Sequence, residues 1–172
     1  MCIRTNQKNL KIAEKDITVY KLIEVDPAKR DFFQSREKLL IENPQKYIFM
    51  THYLYRIIPQ DCFENNSPFK AKGLAKHEEN YSETQDYKYR YTSGLIHSFK
   101  YKKDSLNVLK DFSYINLYTI LYKCTIPKGT EYIEGVEDNN FTSYAAKQII
   151  FNEPVHFGKI AKKWYNKLHQ TT

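Results

Sequence analysis

Apolar residues cover both alternating faces of two long stretches, and this pattern predicts the central strands of a sheet. The first stretch runs from Tyr47 to Ile58 (YIFMTHYLYRII) and predicts one central strand, or two strands with a bend near Thr51. The second runs from Tyr114 to Ile126, and Asp16 to Val25 has a similar pattern. Successive side chains of a strand point to opposite faces, so apolar residues on both faces indicate burial on both sides.

Other stretches have the spacing of helices that pack against this sheet. Asp26 and Pro27 provide an N-cap and a proline at the first helical position, which predicts a helix from Pro27 to Glu42. Apolar residues recur every fourth position between Phe157 and His169, which predicts the last helix. Asp104 is the expected cap of a short helix that precedes the Tyr114 strand.

The remaining stretches predict shorter strands and connections. Tyr87 to Phe99 predicts two short strands, and Pro127-Lys128-Gly129 separates a long strand from a short strand, a polar excursion and a final apolar strand. Gln60 to Asp86 is irregular, with a short helix or strand expected inside it. Because strands and helices do not alternate strictly, the pattern predicts an α+β fold with a curved, mainly antiparallel sheet and flanking helices.

Length and composition favour a single domain. The chain has 172 residues, and we predict a polar N-terminal arm at 1–15, ordered only if it docks, followed by one α+β domain at 16–172. The three cysteines, Cys2, Cys62 and Cys124, are far apart and odd in number, which argues against a disulfide framework. The chain has no apolar run of ~18 residues and no signal-peptide pattern, so we expect a cytoplasmic protein without a membrane partner.

His97 and Glu131 are the candidate catalytic residues that the chain itself offers. A neutral imidazole can act as a base or a ligand near pH 7, and His97 lies between Gly94 and a polar turn. Carboxylates cluster around the predicted short strand, and paired carboxylates perform acid-base chemistry. The alternatives are a half-buried strand histidine and a solvated acidic loop. The acidic cluster consists of Glu131, Glu134, Glu137 and Asp138.

The motifs of the most readable enzyme classes are absent from the sequence. It has no P-loop, GxGxxG, HExxH or GxSxG. The spacing of His52, Cys62 and His77 matches no zinc pattern, so no metal site is predicted.

The net charge of +7 permits an anionic partner such as a nucleic acid. Lys100, Lys102 and Lys103 lie among aromatic residues, and bases stack on rings while lysines follow phosphates. Alternation of rings and charges is also typical of an ordinary half-buried strand. We expect the lysines of the last helix to lie on the opposite side of the molecule, so nucleic acid is an alternative partner rather than the favoured one.

Several short motifs resemble a family of small, mostly uncharacterised proteins of Bacteroidetes bacteria and their phages. The motifs are GLIHSF at Gly94 to Phe99, CTIPKGTEYIEG at Cys124 to Gly135 and SYAAKQII at Ser143 to Ile150, with Ser67-Pro68-Phe69 upstream. The resemblance spans roughly residues 16–151. It implies little about activity.

The last third also resembles the closing strands of ADP-ribosyltransferase-like domains, where a strand, a PxG turn, a short strand, a variable loop and a final strand precede or carry a catalytic glutamate. That anion stabilises the cationic transition state as nicotinamide leaves. Here Gln148 stands at the matching position without the charge, and Tyr20-Lys21 replaces the family's Arg-Gly or His-Gly. Ser93 or Ser98 matches the family's Ser-Thr-Ser strand. The resemblance implies a ligand site that includes Tyr20, Ser98 and Tyr144, with NAD as the cofactor of any surviving activity.

These observations favour a binding or catalytically degenerate domain of bacterial or phage origin. Its cleft is expected between the sheet and the Gln60 to Asp86 stretch. One alternative is an ADP-ribosyltransferase-like, NAD-using enzyme in which Glu131 or Glu134 replaces the missing glutamate. The other is a basic nucleic-acid-binding module.

Overall fold

Strands make up about half of the described chain. The computed structural model describes residues 3–24, 47–50, 57–59, 61–71, 73–79, 86–111, 113–137 and 140–170. Up to residue 99 it contains β1 (Ile3–Thr5), β2 (Lys11–Ile12), β3 (Ile17–Glu24), β4 (Tyr47–Met50), β5 (Ile57–Pro59), α1 (Asp61–Glu64), β6 (Pro68–Lys70), β7 (Lys76–Glu79), β8 (Tyr89–Ser93) and β9 (Ile96–Phe99). Beyond it are α2 (Lys102–Asp111), α3 (Ser113–Tyr118), β10 (Thr119–Ile126), β11 (Glu131–Val136), β12 (Thr142–Ala146), β13 (Gln148–Phe157) and α4 (Lys159–Gln170).

The described strands form one sheet in which every pair is antiparallel. The strand order is β6-β13-β10-β3-β9-β12-β11-β1-β8-β7, with β2 beside β11, and with β4 pairing with both β3 and β5. The two apolar strands β3 and β10 pair along their full length, from Glu24↔Thr119 to Ile17↔Ile126. The predicted α+β fold with a mainly antiparallel sheet is confirmed.

The sheet folds over where β3 meets β9, because its short connections are incompatible with a flat sheet. Lys147 alone joins β12 to β13, although β9, β3 and β10 lie between them in the strand order. Four strand spacings span about 19 Å, whereas the two steps from Ala146 to Gln148 span only about 7 Å. The strands β3 and β9 pair at one position, Tyr20↔Phe99. We therefore describe a first half-sheet (β6-β13-β10-β3) that faces a second (β9-β12-β11-β1-β8-β7).

The largest core lies between the two half-sheets. Ile120, Tyr122 and Phe151 of the first half-sheet belong to the same apolar cluster as Ile96 and Tyr144 of the second. We call the faces that carry these residues the inner faces. Ala161, Trp164 and Tyr165 of helix α4 pack in or against this cluster.

A second cluster covers the outer face of the first half-sheet. Leu22 and Leu121 pack there against Val108 and Leu109 of α2. Because Leu121 is the neighbour of Ile120 in the same strand, the two clusters lie on opposite faces. Helices α2 and α4 therefore flank the first half-sheet from opposite sides.

The structure differs from the predicted elements at two places. Residues 114–118 belong to α3, and the strand begins only at Thr119, since an apolar run this short is compatible with either element and α3 packs beside α4. Helix α2 begins at Lys102, so Asp104 lies within its first turn. Of the two arrangements predicted for the Tyr47 to Ile58 stretch, the structure shows the one with two strands, and these pair with each other.

The N-terminal segment is part of the sheet. Strand β1 lies between β11 and β8, and the side chain of Ile3 is fully buried. The segment predicted as an arm is therefore docked along residues 3–12. The predicted helix from Pro27 to Glu42 and the predicted bend near Thr51 lie outside the described residues.

Candidate functional site

A cleft of about 880 Å³ lies between the two half-sheets. One wall is the segment from Lys11 to Thr18, which leads from β2 into β3, and the other is formed by Tyr132 and Tyr144. This volume is typical of sites for small molecules. None of the described residues of the Gln60 to Asp86 stretch, beside which the sequence predicts the cleft, belongs to this lining.

The two tyrosines form a pair on the inner face of the second half-sheet. In the β11–β12 ladder Tyr132 lies opposite Ala146, and Tyr144 lies opposite Glu134, so both rings point to the same side. Their centroids are 5.7 Å apart and their planes are tilted by 59°. Burial, followed by the charge of Glu134, raises the pKa of the Tyr144 hydroxyl, which therefore stays protonated at neutral pH.

An ion pair lies next to Tyr144. The Nζ atom of Lys100 is 2.7 Å from Oε1 of Glu134 and 5.8 Å from the centroid of the Tyr144 ring. The hydrogen bond to Glu134 raises the pKa of Lys100, so the ammonium stays charged at neutral pH. Both side chains remain partly exposed, and the pair therefore contributes little to stability. It provides one group of each sign beside the tyrosine pair.

Two further polar side chains share the inner faces. Ser98 lies opposite Tyr144 and is only 2% exposed, and its hydroxyl has no hydrogen-bond partner within the described part of the chain. Lys21 is buried opposite Tyr122, and its Nζ donates to the carbonyl oxygen of His97 at 2.6 Å. Tyr20 packs in the outer cluster. The structure thus brings Ser98 and Tyr144 together and places Tyr20 on the other face.

His97 is buried on the outer face of the second half-sheet. Its Nδ1 atom is 4.0 Å from Oε1 of Glu137, whose side chain is also buried. Across β12 it lies opposite Ala145, which belongs to an apolar cluster with Ile3 and Ile133. The environment is that of a buried polar pair without an opening to the cleft described above.

Glu131 and Gln148 lie where the chain crosses between the half-sheets. Nε2 of Gln148 donates to Oγ1 of Thr130 at 3.0 Å, and the Lys147 amide donates to the carbonyl oxygen of Glu131 at 2.9 Å. The Glu131 side chain is 54% exposed and 3.9 Å from Nζ of Lys147. His97 lies two strands away and on the same side as Ile133. The structure therefore does not unite the three predicted catalytic residues in one site.

The basic residues are divided between the two sides of the first half-sheet. Lys102 and Lys103 belong to α2 on the outer face, whereas the exposed lysines of α4 lie beyond the inner face. Lys100 is engaged by Glu134, and Nζ of Lys103 lies 5.5 Å from the centroid of the Tyr101 ring. The described lysines of α2 and α4 therefore do not form one basic patch.

Metal ligation and thiol chemistry find no support in the described ranges. They contain no group of three His, Cys, Asp or Glu residues that could hold a metal ion. Cys124 is fully buried, and burial raises the pKa of its thiol, as it does for Cys62. Both are therefore poor nucleophiles. None of the described helices has the length and apolar character needed to cross a membrane.

Sequence reasoning missed half of the cleft. The segment from Lys11 to Thr18 is polar and was assigned mainly to the arm, so nothing in its composition marked it as a wall. Tyr132 could have been identified from the sequence, because it is two residues from Glu134 in the same strand and therefore lies on the same face as this candidate acid. No protein-family model, curated protein or solved structure matches this chain. The functional argument therefore rests on the geometry of the cleft.

Proposed function

We propose that the protein is a small-molecule-binding domain whose ligand lies in the cleft between the half-sheets. The observation that carries this proposal is the tyrosine pair, Tyr132 and Tyr144, on one wall of a cleft of about 880 Å³. Aromatic walls with a few polar groups are typical of small-molecule sites. The motif resemblance is compatible with such a domain in Bacteroidetes bacteria or their phages, where we expect it in the cytoplasm.

The lining favours a ligand with a flat ring and polar substituents. Ile12 is 65% exposed at the cleft, and its side chain leaves apolar surface that a ligand can cover. The rim carries charges of both signs, so it selects neither a strongly anionic nor a strongly cationic ligand. The charged lining residues are Lys11, Glu14, Lys15 and Asp16.

Tyr132→Leu is expected to weaken binding of a ring-bearing ligand by roughly 5- to 150-fold, since Tyr132 is the more exposed ring of the pair and stacking on one aromatic side chain contributes about 1–3 kcal/mol. The probes are NAD, ADP-ribose, adenosine and nicotinamide, measured by isothermal titration calorimetry. Tyr101→Leu is the matched control, because Tyr101 is exposed and is not among the lining residues. Equal affinities in both variants, or no heat from any probe with the unmodified protein, would count against this proposal.

The second candidate is an ADP-ribosyltransferase-like activity that uses Glu134. This glutamate lies opposite Tyr144 on the inner face, whereas Glu131 alternates with it and points to the other face. An anion beside the cleft has the charge that an oxocarbenium-like transition state requires, which Gln148 lacks.

The second candidate predicts that nicotinamide is released from NAD by the unmodified protein. Glu134→Gln should then abolish the release, and Glu131→Gln should leave most of it. Chromatography of the reaction mixture measures both rates. NAD that binds without being cleaved would support the binding domain and exclude the enzyme.

A further inference from the structure

The two ends of the main strand order, β6 and β7, differ in their ability to accept another strand. At one end β6 begins with Pro68, which has no N–H to donate to a neighbouring strand. At the other end β7 has no proline, and all four of its residues are exposed. The outer edge of β7 pairs with no strand in the described ranges of the chain. An edge of this kind is a template for strand addition.

We propose that β7 pairs antiparallel with β7 of a second copy of the chain. The pairing extends the sheet across a two-fold axis and is independent of the ligand cleft. In an antiparallel ladder hydrogen-bonded and non-hydrogen-bonded pairs alternate, and two symmetry-related pairs must be of the same type. An axis between two residues would relate two adjacent pairs, which are of different types, so this position is excluded. The axis must therefore pass midway between one residue and its own copy, which lie opposite each other.

The axis through His77 gives complementary charges. In this register Lys76 of each copy lies opposite Glu78 of the other, and Glu79 lies opposite Ala75. The axis through Glu78 would instead place two glutamates opposite each other, which is unfavourable. The sequence of the strand, KHEE, thus selects one of these two central registers.

The charged side chains have room for a second partner. Glu78 is 4.0 Å from Arg90 on the neighbouring strand, yet its side chain remains 57% exposed. Lys76 is also exposed. Opposite charges across strands stabilise a pair, and two copies of the pair are formed at once.

Charge complementarity also explains why the partner is a second copy. Charged residues on an edge strand normally prevent association, because an arbitrary strand leaves them unpaired or beside like charges. A copy of the same strand in the register through His77 matches them, so the edge rejects other strands and accepts itself. Four residues form a small interface, and we expect a weak dimer in exchange with the monomer.

Sedimentation velocity over a concentration series at ~50 mM salt measures the dimer. Lys76→Glu places glutamate opposite Glu78, and Glu78→Lys places lysine opposite Lys76, so each variant alone should dissociate about tenfold more readily. An equimolar mixture of the two variants has opposite charges at both positions again. We expect the mixture to form heterodimers as tightly as the unmodified protein forms homodimers.

Lys88→Glu changes the net charge as Lys76→Glu does but lies outside β7, and it should leave the dimer unchanged. A protein that remains monomeric at every concentration would overturn the proposal. So would an equal effect of Lys88→Glu, or a mixture of Lys76→Glu and Glu78→Lys that fails to associate. Recovery in the mixture cannot come from misfolded chains, which separates loss of pairing from loss of structure.

Discussion

Gly94→Ala is expected to lower the free energy of unfolding by about 3 kcal/mol or more. Gly94 lies between β8 and β9 with a φ of +79°, in the left-handed region that L side chains rarely adopt. A Cβ atom there would overlap the carbonyl oxygen of Leu74. Since Leu74 contributes backbone atoms, no side-chain rotation relieves the contact, and the turn or the chain before β7 must move.

Gly129→Ala is the matched control for this substitution. Gly129 has nearly the same φ, +84°, but a Cβ atom there has no heavy atom within 4 Å. Gly129→Ala should therefore lower the free energy of unfolding by about 1–2 kcal/mol, which is the cost of the left-handed conformation alone. Urea unfolding followed by circular dichroism measures both variants. Equal losses of stability at the two positions would contradict the close approach of Leu74.

Phe151→Ala is expected to lower the free energy of unfolding by about 3–5 kcal/mol. The Phe151 side chain is fully buried in the core between the half-sheets. Its ring centroid lies 4.6 Å from that of Phe63 and 5.6 Å from that of Tyr122. Removing the ring leaves a cavity between residues held by strands and a helix, so the walls relax only in part.

Two further substitutions serve as controls for the loss of stability in Phe151→Ala, measured in the same unfolding experiment. Leu74→Ala removes apolar atoms from a side chain that is 79% exposed, and should change stability by no more than about 0.5 kcal/mol. Phe151→Leu keeps an apolar group in the core and should lose less than the alanine variant. If Phe151→Ala were as mild as Leu74→Ala, the half-sheets would not enclose this residue.

The sequence predicts a strand correctly where apolar residues occupy both faces of that strand. Strands β3 and β10 were recognised because both of their faces are covered, and the structure shows cores on both sides. Residues 114–118 were misassigned because the apolar pattern continues without a break from helix α3 into β10. The choice between helix and strand there depends on packing beside α4, which local sequence does not encode.

The candidate site was predictable only in part. Resemblance pointed to Ser98 and Tyr144, and the structure places them opposite each other. The second wall depends on the fold of the sheet at the β3–β9 pair, which brings Ile17 and Thr18 to the tyrosines. That arrangement brings together residues more than a hundred positions apart. The periodicity of apolar residues is a local pattern and cannot predict such contacts.

The position of β3 at the centre of the sheet has a consequence for synthesis on the ribosome. Val19 pairs with Cys124, which leaves the ribosome after roughly a hundred further residues have been added. At about 5–20 residues per second, β3 spends about 5–20 s without β10, the strand with which it pairs along its full length. Chaperones that bind extended apolar segments would meet it during that interval. Premature termination before β10 should therefore yield an aggregation-prone fragment rather than a smaller folded domain.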